Sequence, residues 1–289
     1  MKSRTLALRM IKSTTFFLFF FFLALNLNAE TKKDTLVNRA WRDTVRLQKA
    51  QVYNLSNGDQ MVYFCPKPFQ FLKFVPSDLY NLGKTTFSKK NLPTLGALVI
   101  GTAALVAVDQ QITDGAQQFG RYIHLSNLHE FRPVKIGIGG KKITFLDVPQ
   151  NLNMAFYFLG EGWPSIMIAG GFYGYGLMAN DYRALQTTSQ LTEMFFTLAV
   201  TTQFLKRLSA RQSPFRAMDP PPGVAPVPGG TWHPFISPSK YQQNVSNYDA
   251  FPSGHLATAM ATLTILAGNY PDNKYIKPVG YTLMGLLGL

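Results

Sequence analysis

The segment Ala250-Phe251-Pro252-Ser253-Gly254-His255 runs directly into the apolar pattern LATAMATLTIL. Each residue type suits the capture of an anion at the mouth of a helix. Pro252 fixes the approach to the first turn. Ser253 offers a hydroxyl that can cap it. Gly254 has no side chain to keep an anion from the backbone. The first amides of a helix are unpaired and point outward, toward negative charge. His255 falls within that turn, where an imidazole can donate a proton to a leaving oxygen. The plainer reading of the same residues is a capping serine beside a half-buried histidine.

A second group lies upstream. LKRLSARQSPF, Leu205 to Phe215, sets Lys206, Arg207 and Arg211 around the exit of an apolar helix, with Arg216 just beyond. Lysine and arginine there can neutralise a phosphate, arginine through paired, fork-like bonds. Cations are also favourable at any helix C-terminus, and that reading is preferred for Arg207 and Arg216. Glu161 and Glu193 read as polar links between helices. His124, His129 and His233 lack metal-ligand spacing, so no metal site is expected.

The elements that must carry these residues are apolar runs. They cover Thr94–Val108, Met154–Met178 (broken at Glu161 and Pro164), Leu191–Leu205, about Leu256–Ala267, and a stretch opening at Val279. Between them, 109–150 is polar with a turn-rich GIGGKK, and DPPPGVAPVPGG, Asp219 to Gly230, is too rich in Pro and Gly to be regular. No block alternates like a strand over any length, so the expected fold is an all-α helical bundle. Residues 30–93 read as a peripheral region with one or two short helices, and 94–289 as the helical domain.

Composition narrows the setting. Charged residues make up 15% of the 289, the formal net charge is +13, and Cys65 is the only cysteine, which excludes an internal disulfide. A positive balance fits anionic substrates or an anionic membrane surface. No Lys/Arg stripe interleaves with aromatics, so nucleic acid is not expected as a partner. Lys2, Arg4, Arg9 and Lys12 precede FFLFFFFLAL, and a small residue stands at Ala29. This is the pattern of an export signal over 1–29. The expected location is the inner membrane with the site facing the periplasm, or the periplasm itself in soluble form.

Pro252-Ser253-Gly254-His255 before an alanine-rich helix resembles the second signature of the type 2 phosphatidic acid phosphatase family, which is related to vanadium haloperoxidases. The first signature of that family is a Lys, six residues, then Arg-Pro. Lys206 matches its start, but Ser213 stands before Pro214 where the arginine is expected. Ser209-Ala210-Arg211 matches a common Thr-Gly-Arg variant inside it. The third signature, Ser-Arg, five residues, His, three residues, Asp, would begin where this sequence stops.

The resemblance implies metal-free hydrolysis of a phosphate ester through a phosphohistidine, with the nucleophile expected beyond the 289 residues. It makes His255 the general acid and assigns Lys206, Arg211 and Ser213 to the phosphate, with Ser253 and Gly254 as its cradle. The expected substrate is a phosphorylated lipid or a small phosphate ester. No cofactor is implied, except vanadate if the relative is a haloperoxidase. A catalytically inactive, phosphate- or lipid-binding relative is the other alternative.

Overall fold

The computed structural model describes residues 50–125, 130–138, 140–212 and 230–287. The expected export signal lies outside them, as do Ser213, Arg216 and His129. The fold opens with a hairpin of β1 (Ala50–Asn54) and β2 (Gln60–Phe64), followed by α1 (Phe71–Thr86) and α2 (Leu92–Tyr122). A second hairpin, β3 (Phe131–Ile138) and β4 (Lys141–Pro149), precedes α3 (Leu152–Gly160), α4 (Gly162–Ala179) and α5 (Tyr182–Ser209). The short α6 (Pro238–Gln243), a single 3₁₀ turn, α7 (Gly254–Asn269) and α8 (Ile276–Leu287) complete the described chain.

The expectation of an all-α fold is therefore corrected. The described residues form eight α-helices and two separate two-stranded antiparallel sheets, a mixed fold. The physical reasons are local. In the first hairpin, Asn57-Gly58 makes the turn, with Gly58 at φ +84° and its N–H donating to the Leu55 carbonyl at 3.0 Å. In the second, β3 and β4 do alternate, but a bulge between Val134 and Lys135 and their partners interrupts the alternation.

Helix α5 is the organising element, about 42 Å long by its 28 residues. It starts at Asp181, whose carboxylate accepts the Ala184 N–H at 2.8 Å, and it ends at Ala210 in the left-handed region. Its middle buries Ala184, Thr187 and Leu191 completely. Helix α4 lies antiparallel against it, and a Cβ at Gly176 would come within 2.8 Å of the Leu185 side chain. Helices α1 and α7 pack on α5 as well, and α8 packs on α7. The break expected at Glu161 is there, between α3 and α4. Asn151 caps α3 by accepting the Met154 N–H at 2.8 Å.

Helix α2 stands apart. It is long and apolar enough to cross a membrane, and none of that apolar window is buried. Leu98, Val99 and Ile100 are each more than half exposed. It continues beyond Val108, where Gln110 donates to Asp114 four residues on at 2.8 Å.

Candidate functional site

The C-terminal turn of α5 and the N-terminal turn of α7 meet. Ser209 Oγ donates to the Phe251 carbonyl at 2.6 Å, and the Ala250 N–H donates to the Arg211 carbonyl at 3.0 Å. These bonds fasten the exit of α5 to the segment that leads into His255. Lys206 reaches across: its Nζ lies 3.6 Å from Asp249 Oδ2 and 4.0 Å from where a Cβ would stand on Gly254. The cation and the Pro-Ser-Gly-His turn, 46 positions apart between Lys206 and Pro252, thus share one place.

Ser253 is exposed, and its hydroxyl caps α7 by accepting the Leu256 N–H at 3.3 Å. Its role here is to end the helix cleanly. Among the described residues no group accepts the amides of Gly254 or His255, so the open helix end presents two donors. Gly254 leaves the space before the Lys206 ammonium empty of side chain.

His255 is pressed against α3. Its ring lies 4.4 Å from the Tyr157 ring, centroid to centroid, and a Cβ at Gly160 would meet His255 Cβ at 2.4 Å. Burial lowers the imidazole pKa, and the Lys206 ammonium lowers it further, while the Asp249 carboxylate opposes both. These effects together favour the neutral imidazole.

Arg211 is 7% exposed and ion-paired with Asp109 of α2. Its guanidinium carbon sits 5.2 Å from the Trp232 ring centroid, and Trp232 in turn packs on Phe251. The returning chain holds it on both sides, with the Gln212 N–H donating to Thr231 at 2.9 Å and the His233 N–H to Ala210 at 3.2 Å. Nε of Arg211 has no partner among the described residues.

The remaining candidates fall elsewhere. Arg207 stacks over the Tyr241 ring at 4.8 Å, as a cation closing a helix does. Glu193 faces Asp78 of α1; burial, and then the hydrogen bond to Asp78, raise its pKa well above the usual carboxylate range. Among the described residues no group of histidines, cysteines and acids could hold a metal. Sequence reasoning missed Asp249, Asp109, Tyr157 and Gly160. Asp249 stands just upstream of Pro252, and Asp109 is the first charge after the apolar run, so both were visible as isolated acids. Nothing in the sequence tied Tyr157 or Gly160 to His255.

No protein-family model, curated protein or solved structure matches this chain. The site must be read from its own geometry.

Proposed function

We propose that the α5–α7 junction binds the phosphoryl group of a phosphate ester and serves its hydrolysis by the type 2 phosphatidic acid phosphatase chemistry that the signatures resemble. One observation carries the reading: Lys206 Nζ stands over Gly254 at the open end of α7, one residue from His255. Phosphoryl oxygens there accept from the Lys206 ammonium and from the two free amides, with the spare donor of Arg211 close by along the chain. The dianion offsets the Lys206 charge, so the His255 pKa rises on binding and the imidazole takes up a proton. That proton then goes to the oxygen of the leaving alcohol as the P–O bond breaks. The attacking histidine of the resemblance belongs to the third signature, which these 289 residues do not contain. Exposed apolar α2 and the exposed apolar surface elsewhere favour a lipid ester at a membrane, with the site on the periplasmic side.

The test is calorimetric titration of the full chain in detergent with inorganic phosphate. Lys206→Ala removes a charge-assisted donor worth roughly 1.5–3 kcal/mol, so affinity falls at least tenfold. Gly254→Ala meets nothing closer than 4.0 Å in the protein, so it folds but fills the space the anion needs. Unchanged affinity in both variants ends the reading.

A further inference from the structure

Hairpin β3–β4 stands out from the helices. Pairing places Val134 opposite Leu146, Ile136 opposite Ile143 and Arg132 opposite Val148. Residues that pair share a face of the ribbon, so Val134, Ile136, Ile143, Leu146 and Val148 form an apolar centre on one side, with Arg132 and Lys141 at its two ends. The other side carries Lys135, Lys142, Thr144 and Asp147. The apolar side is not covered: Val134 is 42% exposed, Ile136 41%, Ile143 52% and Val148 37%. At the base, Phe145 packs on Trp163 at 4.9 Å between ring centroids, and β4 touches α3, the helix that presses on His255. A two-stranded ribbon with a bare apolar side is marginal in water.

Charge selects what covers it. From Phe131 to Pro149 the ribbon has four cations, Arg132, Lys135, Lys141 and Lys142, against the single acid Asp147. A second copy of this ribbon would set like charges against each other. An anionic bilayer satisfies both features at once, taking the apolar centre at headgroup depth and Arg132 and Lys141, on the same side, at its charged surface. We infer that the β3–β4 ribbon is a membrane-contact element that docks on anionic lipid beside the α3 wall of the site. This stands independently of the phosphatase reading, because its readout is the depth of the ribbon and not turnover or phosphate affinity.

Cys65 is the sole cysteine, so Cys65→Ser gives a clean background for one added label. Full-length chain carrying Ile136→Cys or Thr144→Cys is labelled with an environment-sensitive fluorophore and reconstituted in phosphatidylcholine bilayers with or without phosphatidylglycerol. The expected result is a blue-shifted Ile136→Cys label, quenched by shallow lipid-borne nitroxides, only when phosphatidylglycerol is present. The Thr144→Cys label stays in water. Arg132→Glu with Lys141→Glu shifts the response to higher phosphatidylglycerol content, roughly fivefold in apparent affinity per charge. Both labels remaining in water in every bilayer overturns the inference. So does disulfide cross-linking between two Ile136→Cys chains with shielding that ignores lipid charge.

Discussion

The two ends of α5 are built on opposite principles. At its N-terminal end the hydrogen bonds are filled. Tyr53 donates to Asp181 at 2.9 Å, Gln51 Nε2 to the Asn180 carbonyl at 2.6 Å, and Arg183 Nε to the Asn269 carbonyl at 2.5 Å, while the Arg183 guanidinium lies 4.1 Å from the Tyr270 ring centroid. At the C-terminal end donors outnumber acceptors. Among the described residues, Arg211 Nε and the first two amides of α7 have no acceptor, and burial lowers the His255 pKa. One end joins β1 and β2 to the helices. The other pairs Lys206 with Asp249 and Arg211 with Asp109 around the start of α7. Strain and unmet polarity collect where function is expected, while the satisfied end supplies the stability.

The sharpest way to break this contrast is at the filled end. Arg183→Ala strips a hydrogen bond from a buried carbonyl and two aromatic contacts, so unfolding free energy drops by about 2–4 kcal/mol. Chemical denaturation reads this, and phosphate affinity stays at the level of the parent. Equal loss of both would show that the two ends are not separable. Next in size is Gly160→Ala, which drives a methyl into His255 and Leu287. Overpacking of this kind costs roughly 1–3 kcal/mol, and here it also displaces the imidazole, so stability and phosphate binding fall together.

Proton linkage sharpens the contrast further. Burial and Lys206 hold the His255 pKa below its ordinary value, so the unfolded chain binds more protons than the folded one in that window. Stability therefore falls as pH drops from the ordinary histidine range through the lowered pKa. With phosphate bound as proposed, its charge would raise the His255 pKa, so binding near pH 7 is expected to take up a proton. Calorimetry in buffers of different ionisation heat measures it, and His255→Ala removes it. Glu193 gives a linkage of the opposite sign. Its raised pKa means that the folded chain holds the proton longer, so stability declines as pH climbs above the ordinary carboxylate range. Glu193→Gln flattens that decline in a thermal-melting series from pH 5 to pH 9.

Much of the helical framework is legible in apolar runs. The break at Glu161 and the start of α7 at Gly254 follow from residues whose types do local work: Pro, Ser and Gly. The strands are a different matter. Asn57-Gly58 is a strong hairpin signal, yet the flanking AQVYN and QMVYF are only five residues each and alternate too briefly to stand out. In β4 the bulge shifts Leu146 out of phase with Ile143, which hides an alternation that pairing makes plain. The contacts of His255 with Gly160 and Tyr157 are long-range packing, and no local pattern encodes which helix a residue will face. The acids Asp109 and Asp249 were readable as charges but not as partners, because only folding chooses which cation they meet.

The ion pair between Asp109 and Arg211 has a geometric corollary. Asp109 closes the apolar stretch of α2, so with that helix in a bilayer it marks the plane where hydrocarbon gives way to water. Arg211, tied to it, sets the pocket at that plane. Inserting or deleting one turn of apolar residues before Asp109 would raise or sink the pocket by about 5 Å. The depth of the α5–α7 junction in a bilayer would thus be set by ruler length along a single helix.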